Sequence, residues 1–165
     1  MEKYHLVVHK IIDLLKQHNY WFETFEHEPV RTSEEAAKIR SGYSLEQGAK
    51  ALIVRVKYSS SEKKFMMLVV PGNVRFDKQK VSEFLKTKDI RFATENEVSE
   101  ITGGVELGGV PPFGNLFGLE VIVDPSLFEN SKIIFNAGDR GFSVAMKSND
   151  YVTLVKPIIR SICLT

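Results

Sequence analysis

The chain has a single cysteine, Cys163, among its 165 residues, so an internal disulfide is excluded. It has no apolar run near the roughly 20 residues that span a bilayer, and its first residues lack the apolar segment of a signal peptide. The net charge of +1 provides no broad basic field, so contacts with a nucleic acid should be few and local. These absences predict a cytoplasmic protein without a membrane partner.

Several catalytic signatures are also missing. The chain has no Gly-x-Ser-x-Gly elbow, P-loop or dinucleotide-binding fingerprint. His5 and His9 are four residues apart on a predicted helix, but no glutamate or third ligand completes a zinc site. We interpret both as solvated helix residues and Cys163 as a small buried or edge side chain. His27 could contact a substrate, but a structural or solvent-facing role is favoured. No metal ion and no cofactor are predicted.

The composition, with 43% hydrophobic and 26% charged residues, is that of an ordinary globular protein, and the length predicts one domain over residues 1–165. Apolar periodicity and capping residues predict helices at Lys3–His18, after Thr32 or Ser33, after Asp77, from Thr94 to Gly103, and after Ser148 or Asn149. Strands are predicted at Tyr20–Phe25, Lys50–Tyr58, Phe65–Val70, Ile90–Ala93, Leu119–Val123, Lys132–Phe135 and Phe142–Met146. This order indicates an α+β domain with a mostly antiparallel sheet and helices on its outside.

The segment Gly103–Gly118 stands out because it holds six of the 11 glycines and two of the 6 prolines. Glycine permits left-handed backbone and close approach to a ligand, whereas Pro111 and Pro112 fix φ. The combination indicates a loop held in one unusual shape. Functional groups are often placed on such loops, so this segment is the first candidate for a site.

Two further segments are candidates. Lys50 begins an apolar strand, and the small residues beside it leave room around its ammonium group, which could pair with a phosphate or polarise a carbonyl. The alternative is a solvated lysine at a strand end. The segment Asn136–Gly141 is typical of a hairpin turn with glycines at positive φ. The segment could instead form a polar rim that contacts the ribose or the amine of a substrate. Of these two interpretations, the hairpin turn is favoured.

Four segments, taken in order, resemble the family of YbaK and the prolyl-tRNA synthetase editing domain. They are His27–Ala37 (HEPVRTSEEAA), Gly48–Leu52 (GAKAL), Gly108–Gly114 (GGVPPFG) and Asn136–Gly138 (NAG). The resemblance implies a mixed, mostly antiparallel sheet curled into a partial barrel with surrounding helices. It also implies a free-standing aminoacyl-tRNA deacylase that removes a mischarged small amino acid from the 3′ end of tRNA.

The resemblance also implies where the site lies. The family lysine corresponds to Lys50, and Gly108 and Gly109 are expected to take part in catalysis with it. Residues expected to bind the substrate are Phe25, Val30, Thr32, Val110, Pro111, Pro112, Phe113, Gly114, Asn136, Gly138 and Asp139. The implied partners are the acceptor end of an aminoacyl-tRNA and an aminoacyl-tRNA synthetase. Neither a metal nor a cofactor is implied.

The chemistry of an ester fits this assignment. Water attack places negative charge on the carbonyl oxygen, and one preorganised donor in such a site is worth about 3–4 kcal/mol. Two alternatives stay open at this point: a non-catalytic module that binds a tRNA end or an aminoacyl-adenosine, and a hydrolase of another small acyl ester. The sequence leaves the amino acid, the tRNA species and any general base unassigned.

Overall fold

The computed structural model describes residues 3–29 and 42–164. Its α-helices are α1 (Leu6–Gln17), α2 (Lys78–Leu85), α3 (Glu95–Thr102) and α4 (Ser148–Val155). Its strands are β1 (Phe22–Glu26), β2 (Ala49–Lys57), β3 (Lys63–Pro71), β4 (Asp89–Phe92), β5 (Val121–Val123), β6 (Lys132–Asp139), β7 (Phe142–Lys147) and β8 (Ile158–Ile159). The α+β class is confirmed.

The strands form two sheets, with the orders β1-β7-β6 and β4-β2-β3-β5-β8. Four neighbouring pairs are antiparallel, and the pairs β3-β5 and β5-β8 are parallel, so the mostly antiparallel character is confirmed. A parallel bridge between Gly48 and Ile134 joins the sheets. Over the part of the chain that is described, the sheets do not close into a barrel.

The helix ends follow from local chemistry. The Asp77 side chain accepts hydrogen bonds from the first turn of α2, as its capping type predicts. Thr94 and Glu97 form the predicted capping box of α3, which ends at Gly103 in the left-handed conformation. The predicted cap of α4 was wrong by one residue: Lys147 precedes the helix, and its side chain forms no capping bond.

Apolar residues on the two faces of the larger sheet belong to two cores. The first core packs α1, β6 and β7 against one face, and the second packs α2 and the chain end against the other. Buried Asp124 anchors that end, accepting N–H bonds from Ile162 at 2.8 Å and Cys163 at 3.1 Å. Burial acts to raise the pKa of Asp124, but hydrogen bonds from Ser126 and Ile162 lower it overall.

Some boundaries differ from the predictions. β6 continues through Asn136 to Asp139 with an irregularity between those residues, so the predicted six-residue turn is reduced to Arg140 and Gly141. The short strand β8 was not predicted, since two exposed isoleucines carry no periodic signal. The predicted helix after Thr32 or Ser33 lies outside the described residues.

Candidate functional site

A row of side chains crosses the smaller sheet at one level. Phe25 of β1 lies opposite Ser143 of β7, and Ser143 lies opposite Asn136 of β6. Directly opposite residues in antiparallel strands point to the same face. The parallel bridge between Gly48 and Ile134 extends this row to β2. Lys50 lies two residues after Gly48, and Asn136 lies two residues after Ile134, so Lys50 and Asn136 occupy corresponding positions. The register therefore directs Lys50 and the row to the same face.

A chain of hydrogen bonds links this row to the glycine-rich loop. His27 Nε2 lies 2.8 Å from Ser143 Oγ, and His27 Nδ1 lies 2.9 Å from the Glu28 carbonyl oxygen. The Ser143 hydroxyl donates to Asn136 Oδ1 at 3.2 Å, and Asn136 Nδ2 donates to the Gly108 carbonyl at 2.8 Å. The carboxamide of Asn136 thus fixes the loop relative to the sheet.

The two glycines predicted to be catalytic have different environments. Gly108 is exposed at φ +92°, whereas Gly109 is buried and its N–H donates to the Glu106 carbonyl at 2.9 Å. A Cβ on Gly109 would lie 3.4 Å from the Arg140 nitrogen, so the loop packs closely on the β6–β7 turn. The N–H of Gly109 is already engaged, which argues against it as a donor to substrate.

The rest of the loop, from Val110 to Gly114, is buried. Phe113 is fully buried, with ring centroids 5.4 Å from Phe135 and 5.6 Å from Tyr151. The Tyr151 hydroxyl donates to the Pro112 carbonyl at 2.5 Å. A Cβ on Gly114 would lie 2.6 Å from Val121. The side chains of this segment therefore anchor the loop in the core. Pro111 is buried as well.

Lys50 is half-buried near the start of β2. Burial lowers the pKa of Lys50 below its usual value, the positive charge of Arg75 lowers it further, and Cys163 acts in the opposite direction. Among the residues described, no carboxylate lies within ion-pair distance of its ammonium group. A half-buried cation with no counter-ion among these residues is suited to an anionic or carbonyl-bearing ligand.

Gly138 and Asp139 have structural contacts. A Cβ on Gly138 would lie 2.0 Å from Val7 Cγ1, so this glycine lets α1 pack on β6. Asp139 Oδ1 accepts the N–H of Gly141 at 2.8 Å and thereby shapes the turn. Of the other predicted substrate-binding residues, Phe25 packs edge-to-face on Tyr43 at 5.8 Å. Val30 and Thr32 lie outside the described residues.

Two residues of this site were not selected from the sequence. Ser143 is a fully buried polar residue between the apolar Phe142 and the apolar run Val144–Met146, and that pattern was the signal that could have identified it. His27 was interpreted as structural or solvent-facing, and its hydrogen bond with Ser143 is a structural contact that brings it into this site. Across residues 3–29 and 42–164, no group of three or more His, Cys, Asp or Glu side chains is placed to hold a metal ion. No helix within those ranges is long and apolar enough to cross a membrane.

Solved structures share this architecture. One described as a candidate trans-editing enzyme for prolyl tRNA synthetase superposes with a TM-score of 0.79 at 22% identity, covering 98% of this chain and 99% of its own. A second, of a hypothetical protein, superposes with a TM-score of 0.80 at 25% identity, covering 94% of this chain and 99% of its own. These matches confirm the predicted fold.

Sequence comparisons identify the family. A protein of Escherichia coli K12, the multifunctional Ser/Thr-tRNA deacylase ProXp-y, is 34% identical over 149 residues, which cover 90% of this chain and 87% of the relative. A proline–tRNA ligase of Ralstonia nicotianae is 25% identical over 119 residues, 72% of this chain but 21% of the ligase. The sequence model of the aminoacyl-tRNA editing domain matches residues 27–154. The chain belongs to the aminoacyl-tRNA editing domain family.

Proposed function

We propose that this protein is a free-standing deacylase that hydrolyses the ester between a mischarged small amino acid and the 3′ end of tRNA. The observation that carries the proposal is the common face of Lys50, Asn136, Ser143 and Phe25, beside a glycine-rich loop anchored through Gly108. Membership of the editing domain family supports the substrate class. Its place of action is then the cytoplasm, where an aminoacyl-tRNA synthetase supplies the mischarged substrate.

The reaction adds water across an activated ester. The water oxygen attacks the carbonyl carbon, the bond to the ribose oxygen breaks, and the products are the free amino acid and a tRNA 3′ hydroxyl. Negative charge develops on the carbonyl oxygen, and donors fixed in advance stabilise it best. The N–H groups of Gly108 and Val110 form no hydrogen bond within the described parts of the chain, so they are available for that role. The Lys50 ammonium is assigned to the same developing charge or to the phosphate of the terminal nucleotide.

The polar row suggests which amino acids are removed. Asn136, Ser143 and His27 form a hydrogen-bonded polar network on the face that Lys50 shares. A site built to hydrogen-bond a hydroxyl can favour it over the analogue lacking it by as much as about 10⁴–10⁵. The E. coli relative is named as a Ser/Thr-tRNA deacylase. We therefore propose seryl and threonyl esters as the preferred substrates, ahead of alanyl esters.

The direct test is a panel of tRNAs charged with serine, threonine, alanine, cysteine or the cognate amino acid. Hydrolysis is measured with enzyme in excess, with spontaneous hydrolysis subtracted from a reaction without enzyme. We expect cleavage of seryl- or threonyl-tRNA well above that background, with the alanyl ester slower. Binding without hydrolysis across the panel would indicate a non-catalytic module that binds the tRNA end or an aminoacyl-adenosine. Equal hydrolysis of small esters that carry no tRNA would indicate the more general esterase.

A further inference from the structure

A second row of side chains lies on the same sheet face as the site, nearer the other end of the strands. Lys132 of β6 is directly opposite Lys147 of β7, and the regular register from there to the Asn136–Ser143 pair places both lysines on the face of that pair. Trp21 immediately precedes β1, and the Lys132 ammonium lies 4.4 Å from the centroid of its indole ring. Trp21, Lys132 and Lys147 form a basic-aromatic patch.

Within residues 3–29 and 42–164, no carboxylate neutralises the patch. Both lysines are exposed, and neither forms an ion pair with any carboxylate that the structure describes. Like charges directly opposite each other on neighbouring strands are destabilising. The cation–π contact fixes Lys132 in place, while Lys147 faces it across the ladder. An anionic partner would relieve the repulsion between the two ammonium groups.

The position of the patch matches a nucleic acid that enters the site. Lys132 and Asn136 are four residues apart on β6, which corresponds to about 13 Å along a strand. The segment before β2 runs beside β6 over this length, since Gly48 bridges Ile134 and Gln47 Nε2 donates to the Lys132 carbonyl at 3.2 Å. The patch therefore lies outside the site, where the RNA would pass rather than the amino acid.

We propose that Trp21, Lys132 and Lys147 form a contact surface for the phosphates of the tRNA acceptor end, separate from the aminoacyl site. This inference rests on the proposed function for the identity of the RNA. The two ammonium groups bind phosphate oxygens, and Trp21 orients Lys132. The contact is electrostatic and independent of the attached amino acid, so uncharged tRNA is bound through it as well.

The chain offers a charge-matched control. Lys57 and Lys63 are also directly opposite each other, at the end of the β2–β3 hairpin. Lys57 is seven residues from Lys50, or about 23 Å along the strand, and neither lysine contacts an aromatic ring in the described structure. The double variants Lys132→Ala/Lys147→Ala and Lys57→Ala/Lys63→Ala each remove two positive charges from a directly opposite pair. Lys57 differs in being partly buried and in lying opposite Asp89 as well.

The experiment measures the Kd of each protein for uncharged tRNA across a series of salt concentrations. Loss of two exposed charge pairs should raise the Kd between about 2-fold and 30-fold for Lys132→Ala/Lys147→Ala. The slope of log K against log salt should shrink by roughly 1.4–1.8. The control variant should retain the wild-type Kd and slope. Equal effects in both variants, no effect in either, or no tRNA binding by the wild type would overturn the proposal.

Trp21 provides an independent test of location, because it is the only tryptophan in the chain. Bound tRNA should reduce the quenching of its fluorescence by acrylamide, a neutral quencher. Unchanged quenching at saturating tRNA would overturn the proposal even if the Kd values agreed with it. Neither measurement requires turnover. A wild-type protein that binds tRNA through this patch but hydrolyses no ester would refute the proposed function alone.

Discussion

Gly138 provides a direct test of how α1 packs on β6. The sequence assigned this glycine to substrate binding, whereas the structure places it against α1. In Gly138→Ala the new Cβ would lie 2.0 Å from Val7 Cγ1 and 3.4 Å from the Val8 nitrogen. Its φ of +121° is also unfavourable for alanine. Overpacking of a core costs about 1–3 kcal/mol, and the strained backbone adds about 1–3 kcal/mol.

Gly118→Ala is the matched control, since Gly118 also has positive φ, at +72°, but an added Cβ would meet nothing within 4 Å. It should show the cost of a left-handed backbone without the overlap. The free energy of unfolding should therefore fall by about 1–3 kcal/mol more in Gly138→Ala from overpacking, and further because φ +121° lies outside the left-handed helical region. Urea unfolding followed by circular dichroism measures both. Equal stability of the two variants, with activity lost only in Gly138→Ala, would refute the packing role and favour the substrate role.

Three further predictions concern groups outside the reacting centre. Tyr151→Phe removes the hydroxyl bound to the Pro112 carbonyl and should lower the free energy of unfolding by about 1–3 kcal/mol, measured by urea titration. Arg91 holds the pKa of Glu97 at about 2, so the stability from their ion pair is present above the usual carboxyl pKa of 4.5 and is lost as the pH falls toward 2. The stability difference between wild type and Glu97→Gln should accordingly shrink in urea titrations between pH 6 and pH 3. Burial raises the pKa of Cys163 to about 12, so iodoacetamide at pH 8 should label it only after unfolding; fast labelling of the native protein would contradict its burial.

Much of the fold could be predicted because local signals agreed with one another. The capping box at Thr94 and the cap at Asp77 marked helix starts, and two apolar, β-branched runs separated by a polar turn marked the strands of the β2–β3 hairpin. Parallel pairing of β5 between β3 and β8 could not be predicted, because it depends on contacts between distant segments. The extent of β6 was also missed, since glycine and asparagine at Asn136–Gly138 favour turns in isolation.

The sequence identified several residues of the candidate site but not their spatial arrangement. The motifs directed attention to Lys50, Gly108 and Asn136, which the sheet register and one hydrogen bond relate to one another. They did not reveal that Phe113 is a core residue, because a loop motif does not show which way a side chain points. His27 lay within one of the motifs without a site role, and Ser143 lay in none of them, because their contact joins residues 116 positions apart.

The central claim is that deacylation depends on the Lys50 ammonium, and its most direct test is single-turnover deacylation of seryl- or threonyl-tRNA by wild type and Lys50→Met. Methionine keeps much of the side-chain length and removes the charge. We predict a rate constant lower by about 10²–10³-fold, the range for loss of one group that stabilises the developing charge. The melting temperature should stay near that of the wild type. A folded Lys50→Met protein with the full wild-type rate would contradict the account.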